Sequence, residues 1–179
     1  MKKVFFLFML LSSLQSFAQC TLSFAEPTIT GSKFRFSIKM SANRTFNIGP
    51  NNLRFNYPVE NLSNPRIVFD AFPALVFGET TLMGSNMQTG IISVNTAYYG
   101  KSELRGLPIN ATGVDLVTLE FDIIKGAAQV EFDWRIDKNP KTAIVTDDKS
   151  IVVVEEAKPL SISLPETATI NKDAEKSKN

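Results

Sequence analysis

The dominant pattern along this chain is a strict alternation of apolar and polar side chains. It is clearest over residues 33–40, where phenylalanine, isoleucine and methionine alternate with charged or polar neighbours. A period of two places successive side chains on opposite sides of a β-strand, so this segment predicts a strand with one face in water. The same alternation recurs over residues 53–57, 117–123 and 130–136. We therefore expect four half-buried strands.

Shorter runs rich in β-branched residues predict further strands. They cover residues 67–69, 91–96, 142–146 and 151–154, with 22–24 as an edge strand. Turn residues such as Gly, Asn and Pro separate these runs, and no helical period is sustained between them. About eight or nine short strands, each with one wet face, favour an all-β fold in which two antiparallel sheets pack as a β-sandwich. A closed barrel is the alternative.

The first residues show a pattern that is typical of an export signal. Lys2 and Lys3 precede the apolar run 4–11, and a short polar stretch ends in Ser-Phe-Ala-Gln at residues 16–19. The apolar run is far shorter than the ~20 residues needed to cross a bilayer. We therefore expect residues 1–19 to be a signal peptide and the mature protein to have no transmembrane helix. Its expected location is the periplasm, the cell surface or the medium.

Cys20 is the only cysteine, so no disulfide can form within the chain. It follows the expected cleavage point, which is where a bacterial lipoprotein carries its lipid. Gln19 and Phe17, however, replace the small residue and the leucine that are typical of a lipoprotein signal. The sequence therefore favours soluble export. Lipidation of Cys20 is the alternative, and it would attach the protein to a membrane.

The mature chain has the length of one domain, which we place at residues 20–157. Beyond it the alternation is lost and polar residues dominate, so residues 158–179 are predicted to form a disordered tail. Removing Lys2 and Lys3 leaves 17 of the 19 basic residues against 18 acidic ones. Near-neutral charge, with basic residues scattered along strands, argues against binding to nucleic acid.

An alternating first strand and five further segments in sequence order carry a resemblance to a known family: residues 46–57 (FNIGPNNLRFNY), 62–65 (LSNP), 91–95, 116–123 and 132–135 (FDWR). Their order resembles the cohesin-like sandwich modules of secreted Bacteroidota proteins, which are related in fold to cellulosomal cohesins and to some carbohydrate-binding domains. The resemblance covers about residues 21–156 and is carried by strand patterns. It implies a sandwich of the cohesin, Ig-like jelly-roll type with a binding role.

Catalytic chemistry finds little support in the composition. The chain has no histidine, which removes the usual general base, the Ser-His-Asp and Cys-His arrangements and the commonest zinc ligand. Asp147 and Asp148 are adjacent, so on a strand they point to opposite faces and cannot share a substrate. The loop over residues 137–148 offers oxygen ligands for calcium, but its lysines favour a solvated loop. We therefore expect no enzyme activity, no cofactor and no metal.

Aromatic side chains are the remaining candidates for a site. Trp134 lies on the apolar side of its predicted strand, together with Val130, Phe132 and Ile136, and is predicted to lie in the core. Tyr98 and Tyr99, with Phe72 and Phe77, lie on or beside predicted loops, where exposed rings are able to stack on sugars. These rings are the basis for a carbohydrate-binding hypothesis.

The segment over residues 69–87 is unusually apolar for a region with so little alternation. It predicts either a buried crossover between the sheets or a patch that faces a partner. We expect Phe69 in the core and at least one of Phe72, Phe77 and Met83 exposed. Because the candidate rings cluster with aliphatic side chains, we prefer a protein partner in a cell-envelope or surface complex, with a polysaccharide as the alternative. The candidate binding residues are Phe72, Phe77, Met83, Tyr98 and Tyr99.

Overall fold

A computed structural model describes residues 18–83, 88–100 and 104–166. Twelve strands occur within these ranges. They are β1 (Ala18–Thr30), β2 (Lys33–Ser41), β3 (Phe46–Asn56), β4 (Leu62–Asp70), β5 (Thr81–Leu82), β6 (Ile91–Thr96), β7 (Leu107–Ile109), β8 (Val114–Ile123), β9 (Gln129–Trp134), β10 (Ala143–Thr146), β11 (Val152–Lys158) and β12 (Leu160–Ser163). In the described part of the chain, no helix is long and apolar enough to cross a membrane.

The strands form two sheets. Sheet A has the order β11-β1-β2-β8-β4, and sheet B has the order β12-β9-β3-β6-β5, with β7 and β10 also paired to β3. β1 and β11 run parallel, and the other strand pairs of the described residues run antiparallel. The predicted two-sheet β-sandwich is confirmed. The strand count exceeds eight or nine because β5, β7 and β12 have only two to four residues, too few to show alternation.

Strand β1 lies inside sheet A, although only an edge strand over residues 22–24 was predicted. It has 13 residues and pairs with β11 on one side and β2 on the other. Cys20, Leu22 and Phe24 alternate along it and are 2%, 0% and 9% exposed. The strand begins at Ala18, so two residues that were predicted to belong to the signal peptide pair with β11. Residues 1–17 lie outside the described residues.

An aromatic cluster fills the centre of the sandwich. The ring of Phe24 stacks on Trp134 with centroids 4.5 Å apart and planes 9° apart, and Phe55 meets Trp134 edge-on at 5.7 Å. Trp134 is 4% exposed, and its Nε1 donates a hydrogen bond to the carbonyl oxygen of Lys158 at 3.1 Å. The predicted core position of Trp134 is confirmed. Its indole also anchors the corner where the chain leaves sheet A for sheet B.

That corner extends the domain beyond the predicted boundary at residue 157. After Pro159 the chain enters β12, which pairs with β9, and Leu164 behind it is 3% exposed. Residues 158–166, which we predicted to be disordered tail, are therefore part of the fold. The sequence hides this because β12 is a short edge strand with polar residues on its outer side. The remainder of the predicted tail, residues 167–179, lies outside the described residues.

An ion-pair network on the outer face of sheet A ties the edge strand β4 to β8 and β2. Glu120 of β8 pairs with Arg35 of β2 and Arg66 of β4, and Asp122 pairs with Lys33. Desolvation raises the pKa of Glu120, but hydrogen bonds from Arg35 and Arg66 outweigh it and hold that pKa below its ordinary value. A hydrogen bond from Lys33 is the main cause that lowers the pKa of Asp122. The network therefore holds β4 most firmly when both carboxyls are ionised.

Candidate functional site

The apolar segment after β4 crosses from sheet A to sheet B. The backbone N–H groups of Val76 and Phe77 both donate to the carbonyl oxygen of Pro73 at 2.9 Å, which closes a tight turn. The chain then runs antiparallel to the end of β6, with the N–H of Gly78 bonded to the carbonyl oxygen of Ala97 at 2.9 Å. Phe77 and Tyr98 form a bridge pair in this ladder. The pairing of β5 with β6 thus extends to residues before the start of β5 and after the end of β6.

Two predicted binding residues lie in the core of this crossover. Phe72 is 7% exposed and Phe77 is 2% exposed, with their ring centroids 4.9 Å apart. Phe77 also packs on the half-buried ring of Tyr98 at 5.3 Å. These two phenylalanines are therefore not available to a partner, because the turn at Pro73 directs them between the sheets. The interpretation of the segment as a buried crossover is right for them.

Three other side chains of the same region face solvent. Leu75 is 88% exposed, Tyr99 is 71% exposed and Met83 is 48% exposed. The N–H of Tyr99 donates to the carbonyl oxygen of Val76 at 2.8 Å, which fixes its backbone next to Leu75. The Tyr99 ring lies against Gly78 so closely that a Cβ there would stand 2.5 Å from the ring. Tyr99 is thus an exposed aromatic side chain on a well-supported backbone.

Tyr98 and Tyr99 do not form one platform. Successive residues of a ladder point to opposite sides, and Tyr98 packs inward on Phe77 while Tyr99 points outward. The Tyr98 hydroxyl donates to the carbonyl oxygen of Leu104 at 2.9 Å, and its ring covers Gly100. Tyr98 therefore supports the loop behind the site, and Tyr99 is the tyrosine that a partner is able to reach.

Polar side chains continue the same surface along β3 and β6. Asn52 and Arg54 of β3 lie opposite Asn95 and Ser93 of β6, and Arg54 Nε donates to Ser93 Oγ at 3.1 Å. Asn52 Oδ1 is withdrawn from water and has no hydrogen-bond partner among the described residues. Sequence reasoning missed these residues, because their outward positions were seen only as the wet side of a strand. We call Leu75, Met83, Tyr99, Asn52 and Asn95 the Tyr99 surface.

Phe69 was predicted to lie in the core and is instead 50% exposed, next to Val68 at 43%. The prediction was wrong because β4 shifts register against β8 between Ile67 and Phe69. One extra residue in a strand reverses the direction of every side chain beyond it. Phe69 consequently lies opposite Thr118 on sheet A, away from the Tyr99 surface on sheet B.

Cys20, the residue considered for lipidation, points into the core and is 2% exposed. Burial, with a smaller contribution from the charge of Glu155, raises the pKa of its thiol to about 12. A thiol with such a pKa stays protonated at neutral pH and is a poor nucleophile. In the folded domain, Cys20 therefore packs as a small apolar core residue.

The acidic loop residues have structural partners. Asp147 Oδ2 accepts the N–H of Gly106 at 3.1 Å, and Asp148 Oδ1 accepts the N–H of Ser150 at 3.1 Å. Hydrogen bonds from Thr146 and Ser150 lower the pKa of Asp148. Residues 18–83, 88–100 and 104–166 contain no group of three or more His, Cys, Asp or Glu side chains arranged to hold a metal ion.

Comparison with solved structures assigns the architecture. The seventh ScaB type I cohesin of Pseudobacteroides cellulosolvens superposes with a TM-score of 0.53 at 13% identity, over 86% of this chain and 96% of that module. The sixth cohesin of Acetivibrio cellulolyticus scaffoldin B, solved with a dockerin, gives 0.56 at 15% identity, over 83% and 99%. The fold is that of the cohesin modules.

A third match covers still more of the cohesin-like domain. The second type II cohesin of the adaptor ScaA scaffoldin of Acetivibrio cellulolyticus gives a TM-score of 0.54 at 12% identity, over 90% of this chain and 96% of that one. No protein-family model and no curated protein matches the sequence. The likeness to the cohesin modules therefore lies in the fold, as expected from a resemblance carried by strand patterns. The Tyr99 surface is described from the residues of this chain alone.

Proposed function

We propose that this chain is an exported, non-catalytic module that binds another protein of the cell envelope or cell surface through the Tyr99 surface. The observation that carries the proposal is the exposure of Tyr99 and Leu75, whose backbones are held near each other by the hydrogen bond from the Tyr99 N–H to the carbonyl oxygen of Val76. Two cohesins of the same fold were solved in complex with dockerin proteins. That precedent makes a protein the first partner class to test here.

The surface has the make-up of a protein interface. Aromatic and aliphatic anchors surrounded by polar groups contribute most of the binding energy in such interfaces, and tyrosine is enriched among them. Tyr99 lies six residues beyond Ser93, whose carbonyl oxygen accepts the Met83 N–H, so Tyr99 and Met83 are ~20 Å apart at the usual rise of a strand. Asn52 and Asn95 lie between them. This extent suits the ~800 Å² that each partner buries in a standard interface.

A polysaccharide is less well supported by the same geometry. The predicted sugar platform needs several rings facing solvent together. Phe72 and Phe77 are buried, and Tyr98 faces away from Tyr99. A lone tyrosine flanked by Leu75 fits an apolar protein contact better than the face of a sugar chain.

Capture experiments test the proposal. The purified domain, residues 19–166, is immobilised and exposed to an envelope extract of the producing bacterium, and captured proteins are identified by mass spectrometry. We expect a discrete partner that is lost with Tyr99→Ala combined with Leu75→Ser, while the melting temperature is unchanged because both side chains are exposed.

Two matched variants sharpen that result. Phe69→Ala removes an exposed ring from sheet A and should leave capture intact. Gly78→Ala keeps Tyr99 but displaces its ring, since the new Cβ would stand 2.5 Å from it, and should weaken capture. Retention of the same partner by the Tyr99→Ala, Leu75→Ser variant, or equal loss with Phe69→Ala, contradicts the proposed surface. Capture of a polysaccharide instead of a protein supports the alternative.

A further inference from the structure

The beginning of strand β1 bears on how the chain is processed. Ala18, Gln19 and Cys20 pair in parallel with Val152, Val153 and Val154 of β11. Gln19 is exposed, and Cys20 is buried in the hydrophobic core. The paired strand therefore runs through the region where the signal peptide is expected to end, and the cleavage position decides how much of it the mature domain keeps.

Cleavage directly before Cys20 conflicts with this fold. It would remove Gln19 together with its pairing to Val153, and it would start the chain at a residue whose side chain lies in the core. A lipid on the sulfur would conflict further, because long acyl chains attached to Sγ cannot fit inside a packed sandwich. A lipid-carrying Cys20 would have to leave the core and break the pairing with Val154.

The sequence at the site agrees with cleavage one residue earlier. Signal peptides end with small residues at the third and first positions before the cut. For a cut after Ala18 those positions hold Ser16 and Ala18, which are both small. For a cut after Gln19 they hold Phe17 and Gln19, which are both large. The structure argues against a cut before Cys20, and the small residues at positions 16 and 18 favour the cut before Gln19.

We propose that the export peptidase hydrolyses the Ala18–Gln19 bond and that the mature protein begins at Gln19 with Cys20 as an unmodified core thiol. Water adds to the carbonyl carbon of Ala18 and the C–N bond breaks, so that Ala18 ends in a carboxylate and the nitrogen of Gln19 takes up a proton to become the new α-amino group. The pairing of Gln19 with Val153 is retained, and only that of Ala18 with Val152 is lost. The inference rests on the export part of the proposed function and moves the predicted boundary from residue 19 to residue 18.

The full precursor, expressed in a bacterium that exports it, provides the test. The exported protein is analysed by intact mass and by sequencing of its first peptide. We expect a chain that starts at Gln19, allowing for loss of ammonia from an N-terminal glutamine, and no incorporation of a palmitate analogue. A chain that starts at Cys20, a lipid on its sulfur, or an uncleaved precursor overturns the proposal.

A crossed pair of leucine variants makes the test specific. Ala18→Leu places a large residue at the first position before the proposed cut and should cause the precursor to accumulate. Gln19→Leu changes the residue after the cut and should be processed normally. A cut after Gln19 predicts the reverse for the two variants.

Substitution of the cysteine separates the lipid route. We expect Cys20→Ser and Cys20→Ala to be processed like the parent and to remain in the aqueous phase on detergent partitioning. The first peptide is read from denatured protein, so a loss of stability does not obscure the result. Accumulation of the Cys20→Ser precursor contradicts the proposal. Because the partner capture above uses purified domain, failure of one test leaves the other unaffected.

Discussion

Truncation of Trp134 to alanine tests the packing of the sandwich. The residue is 4% exposed, stacks on Phe24 and meets Phe55 edge-on. Loss of ~150 Å² of buried apolar surface at ~25 cal/mol per Å² corresponds to about 4 kcal/mol. That value lies within the ~3–5 kcal/mol seen for large aromatic truncations. For a domain of this size it lowers the melting temperature by about 8–16 °C.

The measurement is urea unfolding followed by far-UV circular dichroism, because Trp134 is the only tryptophan and its fluorescence disappears with the substitution. Trp134→Phe is the matched control: it keeps a ring against Phe24 but loses the hydrogen bond to the carbonyl oxygen of Lys158. We expect about 1–2 kcal/mol for that control. A loss below about 1 kcal/mol for Trp134→Ala would refute the core position, since surface substitutions have effects of that size.

Three further predictions concern the edges of the sheets and the core thiol. A chain that ends at Lys158 should be less stable than one that ends at Glu166 by at least about 2 kcal/mol in urea, because it lacks β12 and the buried Leu164; equal urea midpoints would return residues 158–166 to the tail. Because the pKa of Glu120 is lowered on folding, its contribution is present at neutral pH and should fade as the pH drops below the ~4.3 of an unfolded glutamate. Urea midpoints between pH 7 and pH 3 should therefore fall less steeply for Glu120→Gln than for the exposed control Glu131→Gln. An equal fall for the two variants would show that the ion pairs of Glu120 do not contribute to the acid sensitivity of the domain. The Cys20 thiol, with a pKa of about 12, should react with a thiol reagent at pH 8 only at the rate of unfolding, and rapid labelling in native buffer would place it at the surface.

Strand identity was predictable where alternation lasts long enough. The four alternating runs became parts of β2, β3, β8 and β9, because their period of two is fixed by burial of one face. Strand β4 shows where the argument fails: its register shifts against β8 place Phe69 outside, and a bulge leaves no mark in a run of apolar residues. The edge strand β12 is too short to be recognised from four residues.

The candidate site was predictable only in part. The apolar composition of residues 69–87 located the region, and the exposure of Met83 and Tyr99 follows the expectation that part of it faces outward. Burial of Phe72 and Phe77 depends on the turn at Pro73 and on the pairing of Phe77 with Tyr98, a contact that is distant in sequence. The polar partners Asn52 and Asn95 join Tyr99 through the pairing of β3 with β6. Such tertiary neighbours leave no local pattern.

Site-specific photo-crosslinking tests the central claim most directly. A photoreactive phenylalanine analogue is placed at position 99 in the exported protein, at position 69 on sheet A in a second strain, and living cells are irradiated. We predict one crosslinked protein adduct from position 99 and none from position 69, with the position 99 adduct abolished by Leu75→Ser. The same adduct from both positions, or an adduct from position 69 alone, would contradict a protein interface at the Tyr99 surface.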